Sequence, residues 1–337
     1  MDVAIAILNY NGLRHLQQFL PDMILHSSGH RIVVIDNAST DESVQWLKAY
    51  YPEVEIVPLD SNYGFAGGYN RGLSQVNADV YLLINSDVKV TPGWTKPLIE
   101  LLQSNLQIAA VQPKIKALLQ PDYFEYAGAA GGYVDWLGYP FCRGRIFETL
   151  EKDCGQYDDT RQVFWTSGAC MAIRAEAFWQ AGGFDEAFFA HQEEIDLCWR
   201  LQRLGYVLYV EPKSVVYHLG GGTLDYQSPR KTFLNFRNNL MMLAKNMSMA
   251  QVLVVIPLRL LLDGVAGIRF LVSGKSALTW QIVRAHFSFY GHFSRLAKER
   301  KNFRVKNPKT HSVKLFRKTI LVEYFLKGRR FFKDYGL

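Results

Sequence analysis

A chain of 337 residues that is 49% apolar and 20% charged has the composition of an ordinary soluble enzyme, long enough for one large α/β core and an appendage. Its net charge of +7 conceals an asymmetry: residues 1–227 carry 16 Lys and Arg against 27 Asp and Glu, whereas residues 228–337 carry 22 against 4. Four cysteines, Cys142, Cys154, Cys170 and Cys198, fall in no C-x-x-C pair or other metal spacing, which argues against a thiolate metal centre or a disulfide framework and for reduced thiols in a reducing compartment.

In chain order, residues 1–12 lack a basic leader region and end their apolar run in turn residues, so they read as a first strand over 3–8 and not as a signal peptide. Strands over 31–35, 54–59, 80–84 and 108–112 then alternate with helices over 13–25, 43–51, 67–76 and 93–104, the last with Thr91 as cap and Pro92 in its first turn. That alternation is the signature of βαβ units and predicts a mostly parallel sheet flanked by helices. Residues 113–164 lose periodicity and gain Gly, Tyr and Asp, which reads as loops and short strands over one end of the sheet. A strand over 163–173, a short helix over 174–181, a better helix over 193–204 closed by Gly205, and strands over 206–210 and 214–217 complete the domain before the Gly220–Gly222 break.

After Pro229 the pattern is helical and basic, giving two units, 1–227 and 228–337. Residues 252–272 have the length of a membrane span, but Arg259, Asp263 and Arg269 lie inside it and Pro257 interrupts it. Arg259 and Asp263 are four apart and can pair on one face, which suits a helix lying in a lipid interface or packed on the catalytic domain better than a crossing one. The basic charges are interleaved with Phe, Leu, Ile, Val and Trp, and no nucleic-acid module is visible. The block therefore points to an anionic membrane surface and away from nucleic acid.

Each early strand stops abruptly at an Asp, Asn or Gly, as strands of an open parallel sheet do where they present ligand-binding groups at the carboxyl edge. Asp36 can accept from a pyrimidine N3–H or a ribose hydroxyl, while Asp41 sits where a helix cap belongs. The segment from Asn62 to Gly72 has glycines that would let backbone N–H groups and a helix N-terminus approach a diphosphate. Asn85–Ser86–Asp87 places Asp87 where a hard divalent cation would bridge it to phosphate oxygens, and His218, ending the last strand, can complete the metal shell. Glu193, Glu194 and Asp196 crowd the first turn of a helix. One acid there would satisfy the helix dipole, and a further one is a candidate general base with a pKa raised by its neighbours.

Taken in order, Asn9 with its flanking residues, Asp36–Asn37–Ala38–Ser39, Asn62 to Gly72, Asn85–Ser86–Asp87, Ser167–Gly168 and Glu193 to Leu204 resemble an inverting glycosyltransferase of family 2 with the GT-A fold, especially its bacterial rhamnosyltransferase-type members. The resemblance covers about residues 1–240. It implies that Asp36 contacts the nucleotide base and that Asn9, Asn62, Gly67, Gly68 and Asn70 line the donor site. It also implies that Asp87 and His218 hold Mg or Mn on the diphosphate and that Glu194 deprotonates the acceptor. Ser167, Gly168, Glu193 and Asp196 would support the acceptor side. The Phe236–Arg237–Asn238 segment is similar to the Tyr-Arg-Asn of nonprocessive members, and Arg237 would reach the diphosphate. The implied activity is metal-dependent transfer of a hexose or deoxyhexose, with inversion, from a UDP- or dTDP-sugar to a glycan or lipid-linked acceptor in cell-surface polysaccharide synthesis. The place implied is the inner face of the cell membrane, with the protein cytoplasmic and peripheral. A nucleotidyltransferase, which releases pyrophosphate, and a catalytically silent membrane scaffold are the alternatives.

Overall fold

The computed structural model describes residues 1–220 and 228–337; the expected glycine break and the boundary at 227/228 reach into residues 221–227, outside the described residues. Strands β1 (Val3–Asn9), β2 (Arg31–Asp36), β3 (Glu55–Pro58) and β4 (Val80–Asn85) alternate with helices α1 (Leu13–His26), α2 (Ser43–Tyr50) and α3 (Gly64–Leu73). Strands β1, β2 and β4 are aliphatic runs buried on both faces, which is what a sheet covered by helices on both sides requires, while β3 is a partly exposed edge. Short β5 (Val88–Val90), α4 (Thr95–Ser104) and long β6 (Ile108–Ala117) follow. The Thr91 hydroxyl donates to Val215 O instead of capping α4, so that expected cap is not formed.

A small antiparallel sheet of β7 (Gly132–Val134), β8 (Pro140–Cys142), β9 (Arg145–Ile146) and β10 (Thr149–Leu150) occupies the aperiodic region. The strand expected over 163–173 is broken into β11 (Arg161–Val163) and β12 (Cys170–Arg174). Between them the Ser167 N–H turns aside to Gln112 Oε1 and its hydroxyl to Ala127 O, so the chain forms a corner there. After α5 (Ala175–Gln180) and α6 (Glu193–Arg203), β13 (Val207–His218) runs as one strand with a bulge between Glu211 and Val215, where two strands were expected. The large sheet has the order β11-β13-β6-β12-β4-β1-β2-β3, with β5 on β13. β1–β2, β1–β4, β2–β3 and β13–β6 are parallel.

Four helices complete the chain before its last short turns: α7 (Pro229–Asn246), α8 (Met249–Val272), α9 (Ser276–Gly291) and α10 (Phe293–Lys306). Pro257 does not break α8; it sits on the exposed side, where the Leu253 carbonyl left without its N–H partner faces solvent. One buried apolar cluster runs from β1 and α3 through Phe141 and Trp199 to Leu240, Phe289 and Phe332, so the helices share a core with the sheet.

Glycines let α3 lie close to the sheet. A Cβ at Gly68 would stand 2.7 Å from Leu8 Cδ1, and one at Gly72 would stand 2.4 Å from Ile35 Cδ1. Gly72→Ala should therefore destabilise by about 1–3 kcal/mol through overpacking. Gly264→Ala, on exposed α8 with nothing within 4 Å of its Cβ, should stabilise by about 0.5–1 kcal/mol through helix propensity. Urea denaturation midpoints check both signs.

Candidate active site

Parallel register brings the strand ends together: Asn9 stands opposite Asp36, and Leu8 opposite Asn85. Asp36 is buried. Its Oδ1 accepts from Asn9 Nδ2 at 3.0 Å and its Oδ2 from the Ser39 N–H at 3.0 Å, which fixes the carboxylate at the sheet edge. Asn9 Oδ1 is buried beside it with no hydrogen-bond partner, against Gly12. The Asp41 carboxylate accepts the N–H groups of Ser43 and Leu13, serving two helix starts.

Two residues beyond β4, Asp87 Oδ1 lies 3.2 Å from His218 Nε2, and His218 Nδ1 lies 3.4 Å from Glu125 Oε1; all three side chains are buried. The pairing of β13 with β5, which sets His218 opposite Val88, makes this contact. Burial disfavours an imidazolium, but the two carboxylates outweigh it and push the His218 pKa up to about 10. Burial likewise works against the Asp87 carboxylate, and the hydrogen bond and charge of His218 reverse it, leaving Asp87 below its ordinary value. Among the described residues no group of three or more His, Cys, Asp or Glu side chains is arranged to hold a metal by itself. Once a cation displaces the Nε2 proton, Asp87 oxygen and His218 nitrogen converge as a two-donor set. That set suits a divalent cation, Mn more readily than Mg because of the imidazole, with its remaining positions filled by ligand oxygens.

On the other side stands the segment leading into α6. Phe189, His191 and Gln192 have φ of 63°, 70° and 73°, left-handed conformations that cost about 1–3 kcal/mol each. Asn238 Nδ2 donates to the carbonyls of Phe188, Ala190 and His191 at 2.9, 2.9 and 2.8 Å, and Arg237 donates to those of Ala187 and Phe188. Asn239 reaches Gln192 Oε1 at 3.2 Å. These α7 residues hold the strained segment. Arg237 Nη2 is engaged by these loop carbonyls, and burial lowers its pKa to about 10.

The acids of α6 divide sharply. Asp196 is fully buried and accepts from Arg200, Lys245 and Asn246, so it joins α6 to α7 and its pKa is lowered by those cations against the penalty of burial. Glu193 and Glu194 each have a buried Oε2 without a partner. Burial first, and the neighbouring Glu194 charge second, raise the Glu193 pKa well above its ordinary value. Burial raises the Glu194 pKa to about 7, against the pull of backbone N–H groups. His191 Nε2 is also buried and unpartnered, and desolvation lowers its pKa to about 4.

The corner at Ser167–Gly168 joins the two halves. The Asn85 N–H donates to Ala169 O at 3.0 Å, while a Cβ at Gly168 would lie 3.7 Å from Glu194 Cβ and 3.2 Å from Phe65 Cζ. The metal-type pair and Glu194 therefore flank one corner of chain. Ser167 itself is buried, with its N–H and hydroxyl taken by Gln112 and Ala127, so it shapes that corner.

The glycine segment departs from expectation. Helix α3 starts at Gly64, so Gly67 and Gly68 are inside it and not in a turn, packed against Tyr63 and Leu8. The N–H groups of Phe65 and Ala66 donate to Phe189 O and that of Gly64 to Asn62 Oδ1, so this helix end is satisfied internally. Asn70 is engaged with Phe184 N and O under Gly183, and Asn62 with Asn37 and Gly64. These residues brace the segment before Glu193. Glu125 and His191 were not singled out from sequence, and Asn238 entered only as part of the Phe236–Arg237–Asn238 segment. Glu125 lies in the aperiodic region, while Asn238 adjoins the quoted Arg237.

Strand-end acids, a carboxylate–imidazole pair and a dry carboxylate beside a mostly parallel sheet define a glycosyltransferase of the GT-A fold. The chain belongs to glycosyl transferase family 2, whose family model matches residues 4–181. It is 29% identical over 239 residues to an N-acetylglucosaminyl-diphospho-decaprenol L-rhamnosyltransferase of Mycobacterium tuberculosis, covering 65% of this chain and 76% of that protein. Its fold resembles that of Staphylococcus aureus TarS 1–349 in complex with UDP-GlcNAc (TM-score 0.55, 14% identity, 98% of this chain and 93% of that one). It also resembles GalNAc-T7 with UDP, GalNAc and Mn2+ (TM-score 0.56, 16% identity, 73% of this chain), of which it spans 48%.

Glu193, with its folded pKa above the unfolded one, lends stability in full below about pH 4 and loses it as pH rises through the folded value. Glu193→Gln, which copies the protonated form, should therefore be more stable than the parent at neutral pH and equal to it near pH 4. Urea midpoints across pH test the sign.

Proposed function

We propose that this protein transfers a hexosyl or deoxyhexosyl group, rhamnose-like in class, from a UDP- or dTDP-sugar to a glycan or lipid-linked acceptor with inversion, in cell-surface polysaccharide synthesis. The observation that carries the reading is the pairing, across the Gly168 corner, of Glu194, whose Oε2 is buried without a partner and whose pKa is raised to about 7, with the Asp87–His218 donors. The lipid-linked substrate named for the mycobacterial relative supports the acceptor class, and the UDP named for both structural neighbours supports the donor class.

Asp36 at the sheet edge, oriented by Asn9, is the acceptor for the N3–H donor of uracil or thymine. Asp87 and His218 would hold the divalent cation, Mn or Mg, which when bound neutralises the charge developing on the departing diphosphate. Glu125 receives the Nδ1 side of His218, so that Nε2 faces the cation site. Glu194 accepts the proton of the attacking hydroxyl. Its burial supplies the raised pKa that keeps it basic at neutral pH yet easily protonated. In-line attack at the anomeric carbon then breaks the bond to the diphosphate and inverts the centre. The excess of cations over residues 228–337 would keep the protein peripheral at the cytoplasmic face of the membrane, where lipid-linked acceptors lie.

Glu194→Gln should lower turnover about 10²–10⁴-fold while UDP binding persists. Asp87→Ala should instead weaken manganese-dependent UDP binding. Calorimetric titration with UDP, with and without manganese, and assays over a sugar-nucleotide panel separate the two; the reverse pattern contradicts the roles. For the parent enzyme kcat/KM should rise with pH and level off above about 7, as Glu194 loses its proton. Release of pyrophosphate in place of a nucleoside diphosphate would mark a nucleotidyltransferase.

A further inference from the structure

Helix α8 is predominantly apolar, yet only one side of it packs on the protein. Arg259 and Asp263, in its middle, face inward: Arg259 Nη1 donates to Leu137 O and Asn239 Oδ1, and Asp263 meets Arg259 and His286 at 3.6 and 3.2 Å. The opposite side exposes Val254, Leu258, Leu261, Val265, Ile268 and Val272, one every three or four residues. Antiparallel α9 adds exposed Trp280, Phe287 and Tyr290, while its Leu278, Ile282, Ala285 and Phe289 are buried. Arg269, and Lys275 at the turn between the helices, are exposed alongside.

We propose that this outer α8–α9 face lies in the headgroup and upper acyl region of an anionic bilayer, with α8 parallel to the membrane plane. It deepens, and rests on, the reading that the protein works at a membrane surface. Two observations favour a bilayer as the occupant over a second copy of the chain. All four acidic residues of 228–337 are engaged: Asp263 as above, Glu299 by Arg295 and Lys245, Glu323 by Lys327 and Arg329, and Asp334 by the Phe331 N–H. A twofold partner would bring Arg269 and Lys275 to a basic surface with no spare carboxylate, whereas anionic headgroups supply the missing charge. Trp280 and Tyr290 are the residue types that favour the interface, where an apolar ring and a polar tip are both accommodated. The inward anchoring of Arg259 and Asp263 opposes a crossing orientation, which would strip both from their partners.

The test uses the full chain with vesicles of phosphatidylcholine alone or with added phosphatidylglycerol, read by co-sedimentation. Affinity for the anionic vesicles should exceed that for neutral ones at least tenfold. Brominated lipid should quench a part of the tryptophan fluorescence that Trp280→Phe removes. Leu261→Ser with Ile268→Ser, and separately Arg269→Glu with Lys275→Glu, should each weaken vesicle binding at least tenfold without lowering the thermal unfolding temperature in solution. Equal binding to both vesicle types, absence of quenching by brominated lipid, or a concentration-dependent dimer that the Leu261→Ser, Ile268→Ser variant dissolves would overturn the proposal. The donor-site reading fails on a different measurement, a lack of any effect of UDP and manganese on the unfolding temperature without vesicles.

Discussion

The side-chain amide of Asn238 donates to three carbonyls, those of Phe188, Ala190 and His191, and so pins a backbone that turns left-handed at three non-glycine residues. Without that clamp the segment would relax toward ordinary conformations, because each such residue is strained by about 1–3 kcal/mol. The clamp fixes where α6 begins, and the start of α6 fixes where Glu193 and Glu194 point. Phe189 O in turn accepts from the first N–H groups of α3, so the same segment closes the helix that packs on β1 and β2. The basic C-terminal helices are thus bound into the catalytic construction: Lys245 on α7 meets Asp185, Asp196 and Glu299, and Arg295 on α10 meets Asp185.

Three acids within four residues of sequence acquire two opposite states through their surroundings. Asp196 faces Arg200, Lys245 and Asn246 and remains ionised in the interior. Glu193 and Glu194 face no cation, and burial drives their pKa values upward. The result separates an ionised structural carboxylate, Asp196, from one of raised pKa, Glu194, two positions earlier, while Asp87, held charged by His218, stands on the other side of the Gly168 corner. Catalysis by differential stabilisation requires such a division: one group kept negative for a cation, another poised to take a proton.

Much of this was legible in the sequence for a physical reason. Parallel strands buried on both faces must be continuous aliphatic runs, and a run that ends at Asn9, Asp36 or Asn85 announces a polar sheet edge. The glycines also serve packing. Gly64, Gly68 and Gly72 recur every four residues: Gly68 and Gly72 bring α3 onto Leu8 and Ile35, and Gly64 makes room for Phe189. Glu125 was not legible, because it reaches His218 only after an irregular stretch folds back over β6 and β13. The clamp was half legible: the Arg237–Asn238 pair stood out, but only tertiary packing reveals that its partners are carbonyls of the segment before α6.

Resolution of the Glu194 side-chain carboxyl by carbon-13 NMR of glutamate-labelled protein, with Glu194→Gln for assignment, addresses the central claim most directly. In the parent protein the resonance should titrate near pH 7, and in Asn238→Ala it should move toward the ordinary glutamate value of about 4.3 as the segment relaxes and water enters. A parent carboxyl that already titrates at that ordinary value, or one indifferent to loss of Asn238, would contradict the account.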